Sequence, residues 1–107
     1  MAIKSEEEIT KILIQEEILE HLYKNNGKQY NLHKASEECQ ELGLVLNQYL
    51  LKPTKVDEQE IIDEIGDVII RLEILKKMFP IDKINDRVAY KLSKYQEYID
   101  HQKYENI

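Results

Sequence analysis

The sequence predicts an all-α protein, a four-helix bundle that assembles as a helical homo-oligomer. Three observations predict it. Apolar residues recur at steps of three and four through four successive stretches, the period of an amphipathic helix. No segment sustains the alternation of a strand. With 3 Gly and 2 Pro in 107 residues, chain breakers are scarce and connections are short, as between antiparallel helices. A chain of this length forms one domain, residues 1–107, with a modest core, so self-association is expected.

Ser5 with Glu8 forms a capping box ahead of the first helix, whose stripe is Ile9, Ile12, Leu13, Leu19, Leu22 and Tyr23. Asn25-Asn26-Gly27 ends that helix with residues that tolerate left-handed backbone, and Lys28 to Tyr30 is expected to be a short loop. Asn31 is the expected N-cap of a second helix running to about Leu51, with Pro53 as its stop. Its seam is Leu32, Ala35, Cys39, Leu42, Leu46 and Tyr49, and Lys34, Glu38 and Glu41 form a polar stripe beside it. Thr54 or Asp57 caps the third helix, which should reach Phe79 before Pro80. Ile61, Ile65, Val68, Leu72, Leu75 and Phe79 are its expected core seam, flanked by Glu60, Glu64, Asp67 and Arg71. Gly66, mid-helix, costs roughly 1 kcal/mol relative to Ala and suits a place where another backbone or a ligand comes close. A fourth helix follows Asp82, with Ile84, Val88, Leu92, Tyr95 and Ile99 turned inward and Arg87, Lys91 and Lys94 as a basic stripe.

Charge narrows the function. A net charge of -6 speaks against nonspecific binding to nucleic acid, which needs a basic face. A small phosphate substrate stays open if a metal and local Lys or Arg offset the charge. No apolar run is long enough for a membrane span, and no basic-then-apolar signal opens the chain, so a cytoplasmic location is expected. The single cysteine, Cys39, has no internal disulfide partner and falls on the apolar seam, where it reads as a small buried hydrophobe. His21 and His33 lack His or Cys partners at metal spacing, which leaves them surface or capping roles, and His101, close to the terminus, is expected to be frayed.

The acids carry the chemistry. Glu37, Glu38 and Glu41 stand as Glu-Glu-Cys-Gln-Glu, and Glu64 and Asp67 as Glu-Ile-Gly-Asp. Residues three or four apart share a helix face, so Glu38 with Glu41, and Glu64 with Asp67, each point one way. If the two helices pack antiparallel, four carboxylates converge, an arrangement that is unfavourable unless a cation sits among them. The plain alternative is a solvated acidic face, easily reached with 21 acidic residues. Against it, both stripes adjoin apolar seams, both lack full sets of lysine partners at i+4, and the pattern occurs twice. All-oxygen ligation favours Mg²⁺, with Mn²⁺ as a substitute, over zinc. Mg²⁺ is typically completed by substrate phosphates, which Lys34, Arg87, Lys91 and Lys94 could also meet. Lys34 has a competing role as an i,i+4 partner of Glu38. Arg71 continues the stripe of Glu64 and Asp67 and is expected to pair with a carboxylate, with contact to substrate as the alternative. The absence of a glycine-rich phosphate loop excludes a P-loop enzyme.

Glu-Glu-x-x-Glu, a spacer from Leu42 to Asp63 and then Glu-x-x-Asp resembles the MazG-type all-α nucleoside triphosphate pyrophosphohydrolases. His33-Lys34-Ala35-Ser36 before the first motif, Leu42 after it and Val68-Ile69 after the second extend the likeness. It covers about Leu32 to Met78 and, more weakly, Lys91-Leu92-Ser93-Lys94. The resemblance implies a MazG-type fold and hydrolysis of a nucleoside or deoxynucleoside triphosphate to the monophosphate and pyrophosphate, a clean-up of the nucleotide pool. It implies that Glu38, Glu41, Glu64 and Asp67 bind Mg²⁺, and that Glu37, the motif's leading Glu, binds a second ion or activates water. It also implies a homodimer or homotetramer with sites near subunit contacts. The competing expectation is a non-catalytic helical interaction or regulatory module that keeps the fold; a different metal-dependent phosphohydrolase comes third.

Overall fold

The computed structural model describes residues 5–105, the side chain of Ile14 excepted; residues 1–4 and 106–107 of the expected domain lie outside the described residues. Four helices and no strand occur among them: α1 Glu6–Asn26, α2 Lys28–Leu51, α3 Glu58–Met78 and α4 Ile81–Glu105.

Local chemistry sets the ends. The Ser5 hydroxyl accepts a hydrogen bond from the Glu8 N–H at 3.2 Å, and Glu6, Glu7 and Glu8 load the first turn of α1 with negative charge, which the helix dipole favours. Gly27 then turns the chain with φ 78°, a conformation closed to most side chains, and ends α1. Here the structure departs from expectation: Lys28 to Tyr30 is not a loop, and Asn31 is not a cap. Gly27 reverses the chain in a single residue, so α2 restarts at Lys28. Asn31 lies within the helix, only 1% exposed, where its Nδ2 donates to the Leu22 carbonyl of α1 at 3.3 Å. A polar side chain expected to begin one helix instead pins it to another.

α2 closes with the Lys52 N–H on the Gln48 carbonyl at 2.7 Å, one residue before Pro53. The connection tucks Val56 into the interior. Of the two expected caps for α3, Asp57 is the one used, accepting from the Gln59 N–H at 3.3 Å. Phe79, extended ahead of Pro80, stops α3, and α4 starts directly after the proline, slightly earlier than expected.

α2 and α3, joined by a short connection, pack on each other along their length, and α1 lies on both. Lys77 ties α3 to α1 through Glu20 at 3.1 Å and Glu16 at 3.4 Å. α4 touches only α3. Its stripe is not turned inward in the single chain: Ile84 is half-buried, but Val88, Leu92, Tyr95 and Ile99 are exposed, Leu92 at 61%. The physical reason is that α4 leaves the body after Pro80 and meets no second helix there.

The seams are rotated in part: Ala35 and Leu42 on α2, and Ile61, Val68 and Leu75 on α3, are covered as expected, and the other expected members are not. On α2 the covered residues are Asn31, Ala35, Glu38, Leu42 and Val45, while Cys39 is exposed and Leu32, Leu46 and Tyr49 are largely so. On α3 they are Ile61, Glu64, Val68, Arg71, Ile74, Leu75 and Met78, while Ile65 and Leu72 stand outside. Phe79, expected in the core, is also exposed, with the Lys28 ammonium 5.7 Å from its ring centre. Each helix brings part of its polar stripe into the contact: Glu38 on α2 and Glu64 and Arg71 on α3 are half-buried, whereas Glu41, Glu60 and Asp67 stay exposed. Gly66 meets nothing within 4 Å of where a Cβ would stand, so the close approach expected there is not made within the chain.

Candidate metal centre

This rotation builds the site. Glu38 and Glu41 come from adjacent turns of α2 and Glu64 from the facing turn of α3. One carboxylate oxygen from each lies within 4.8 Å of the others. Asp67, one turn beyond Glu64, is exposed but near enough for its charge to act on both Glu38 and Glu64. Glu37 lies outside this cluster, exposed on α2 and paired with Lys34 at 3.3 Å.

Two oxygens separate this cluster from an ordinary acidic surface. Glu38 and Glu64 are half-buried, and Oε2 of each is fully covered with no hydrogen-bond partner. Covering a carboxylate oxygen without a donor is costly while the group is charged. The carboxyls respond as expected. Burial, then the charges of Glu41 and Asp67, push Glu38 above the usual carboxylate value; burial, then Asp67 and Glu38, push Glu64 the same way. Such a pair is relieved by a proton or by a cation. The donors are all carboxylate oxygens, which suits a hard divalent ion. Glu41 and Asp67 leave the cluster open to solvent, where such an ion keeps water and accepts ligand oxygens.

The cationic residues fall into two groups. Lys34 sits beside the cluster, but its partner is Glu37 at i+3 rather than Glu38 at i+4, and its ammonium is 5.8 Å from the Tyr30 ring. Arg87, Lys91 and Lys94 remain together on α4, exposed and interleaved with tyrosines. Arg87 and Lys94 lie 5.0 and 5.5 Å from the Tyr90 ring, Lys91 lies 5.7 Å from that of Tyr95, and Lys94 also pairs with Glu97 at 3.5 Å. α4 makes no contact with α2 among the described residues, so one chain does not pack its basic stripe against the helix that carries Glu38 and Glu41.

Arg71 departs from expectation. It forms no ion pair among the described residues, and its Nη1 is covered without a partner. The histidines are ordinary: His21 Nδ1 is bonded to Asn25 Nδ2 at 2.7 Å, His33 is exposed, and His101 faces Glu105 at 3.1 Å. Sequence reasoning missed Asn31 as a buried group. A usable signal existed, since Asn31 lies four before Ala35 and a helical two turns before Glu38, on the stripe that the fold covers.

Compared with known proteins, the chain matches no family model, no curated protein and no solved structure.

Proposed function

We propose that this chain is a Mg²⁺-dependent nucleoside triphosphate pyrophosphohydrolase acting as a homo-oligomer. The observation that carries this reading is a covered, partnerless oxygen on each of Glu38 and Glu64, two carboxylates that, with Glu41, bring one oxygen apiece within 4.8 Å of one another. The motif spacing that resembles the MazG-type enzymes supplies the reaction. Glu38, Glu41, Glu64 and Asp67 would hold the ion, with Mn²⁺ as a substitute. When bound, the metal supplies charge neutralisation of the triphosphate and polarisation of its phosphorus–oxygen bonds.

The chain's own residues do the rest. Glu37, outside the cluster, accepts a proton from the water that attacks the α-phosphorus. The new bond is from water oxygen to that phosphorus; the bond that breaks is the one to the bridging oxygen, and pyrophosphate leaves with its electron pair. Lys34 exchanges its pairing with Glu37 for a phosphate contact, which frees the carboxylate for the proton. Arg87, Lys91 and Lys94 meet phosphates, and the neighbouring Tyr90 and Tyr95 offer ring faces to a base. Because α4 reaches no second helix of its own chain, a partner copy is the natural surface for its apolar stripe, and docking there carries the basic stripe to an acidic cluster.

A panel of NTPs and dNTPs with Mg²⁺, with pyrophosphate and orthophosphate detected separately, tests this. Pyrophosphate release that disappears in both Glu41→Gln and Asp67→Asn supports the reading. Orthophosphate release would indicate a different phosphohydrolase. No turnover by a folded oligomer would favour the interaction module, which the extensive exposed apolar surface also suits.

A further inference from the structure

Arg71 stands on the packed face of α3 with its charge unmet. Its side chain is half-buried, and Nη1 is wholly covered without a hydrogen-bond partner. Glu38 and Glu64 can relieve the same difficulty by taking up a proton. A guanidinium cannot lose its charge, so it needs an anion or a set of acceptors. Asp67 lies at i−4, the ordinary spacing for a helical ion pair, yet no such pair forms among the described residues. On the facing helix, Glu38 opposes Glu64. The antiparallel register therefore sets Asn31, two turns before Glu38, opposite Arg71, two turns after Glu64. Asn31 offers one neutral acceptor, Oδ1, which is itself buried and partnerless. The facing position offers no anion.

Direction matters as much as position. Helical side chains favour the direction of the N-terminus of their helix, and for Arg71 that is the direction of Asp67, Glu64 and the acidic cluster. Two turns separate Arg71 from Glu64, about 10 Å along the axis. A phosphoanhydride chain held at the carboxylates by one end can extend along that line.

We propose that Arg71 receives the pyrophosphate end of the substrate. Its planar guanidinium carries parallel N–H donors that match a phosphate edge, which an ammonium does not, and no carboxylate among the described residues holds them in an ion pair. The choice of substrate rests on the pyrophosphohydrolase reading; the anion site itself requires no turnover.

The chain contains two arginines, Arg71 and Arg87, so the arginine Nε–Hε region of an ¹⁵N spectrum holds two signals, assignable with Arg87→Lys. Wild-type protein is titrated with inorganic pyrophosphate, with and without Mg²⁺. The Arg71 signal should shift and saturate. Arg71→Lys should bind pyrophosphate about tenfold more weakly and raise the nucleotide KM by a similar factor, with a smaller change in kcat. An Arg71 signal that stays fixed through the titration overturns the inference, whether it is held by a partner copy's carboxylate or by nothing. Wild-type pyrophosphate affinity in a folded Arg71→Lys overturns it equally. If Arg71→Lys fails to fold, the wild-type titration still decides. Turnover with a silent Arg71 keeps the hydrolase reading and removes this one; an Arg71 shift without turnover keeps the anion site and removes hydrolysis.

Discussion

Glu38 shows how a single residue can weaken the fold in favour of its site. Its carboxyl is pushed above the usual range by burial and by neighbouring acids, and Glu64 shares the condition. Between the ordinary value of 4.5 and the raised one, the folded chain binds more protons than the unfolded chain. Stability therefore falls as pH rises through that window. In EDTA, the melting temperature should rise as pH is lowered through that window, and Glu38→Gln should flatten that rise. At pH 7 without metal, Glu38→Gln should melt above wild type, because a neutral amide replaces a partly covered charge. Mg²⁺ should reverse the ranking, since only the wild type gains by mass action, about 2.7 kcal/mol at a hundred times Kd. Circular dichroism melts at several pH values, with EDTA or Mg²⁺, check all three; a variant that melts below wild type in EDTA at pH 7 would contradict the argument. Glu20 has the opposite sign. Lys77 holds its carboxyl below the usual value, so its contribution is present above 4.5 and is lost as pH falls through the depressed value. Gly66 makes a simpler case: with open space at its Cβ position, Gly66→Ala should stabilise the chain by roughly 1 kcal/mol, measurable by urea unfolding.

At the scale of the helix, the sequence makes the elements plain and hides their rotation. Ser5, Gly27, Pro53, Asp57 and Pro80 act at element ends through short-range chemistry, and each boundary lies within a few residues of them. Which face is buried depends on the neighbour. α3 carries Ile, Val or Leu on several sides, so hydropathy admits more than one seam; the fold selects the one that includes Glu64 and Arg71. No apolar periodicity could nominate two charged residues for a packed face. The same limit explains the site: the paired acidic motifs are legible from spacing, whereas the covered oxygens depend on packing. Asn31 was obscured by chemistry equally suited to a cap. The selected seam can be tested by ranking two substitutions. Ile74, 1% exposed, lies off the expected seam, and Leu72, 44% exposed, lies on it. Ile74→Ala should cost about 2–5 kcal/mol, as for a full core deletion, and Leu72→Ala clearly less. Denaturant melts of the two variants check the order, and a reversed order would mean that the helix sits in its expected rotation.

The whole molecule is more extended than its length requires. Its radius of gyration is 18.4 Å, against about 13 Å for a compact domain of similar size. The excess is consistent with α4, which contacts α3 alone and has no buried residue among those described. A 25-residue amphipathic helix with Val88, Leu92, Tyr95 and Ile99 in water is an expensive arrangement for a single chain. A second copy that covers this stripe removes the cost, and the proposed homo-oligomer follows from the same reasoning as the proposed composite site. Val88→Glu with Leu92→Glu separates the two states. On an isolated chain both positions are exposed, and surface changes of this kind usually alter stability by no more than about 0.5 kcal/mol each. In an oligomer seated on α4, the two charges are buried in the contact and assembly fails. Light scattering should find wild type as a dimer or tetramer and the double variant as a monomer that retains helical circular dichroism. The double variant should also lose pyrophosphohydrolase activity with Glu38, Glu41, Glu64 and Asp67 intact, because the partner's basic stripe no longer arrives. A double variant that remains assembled would place the contact on another face, and a monomer with full activity would show that one chain completes its own site.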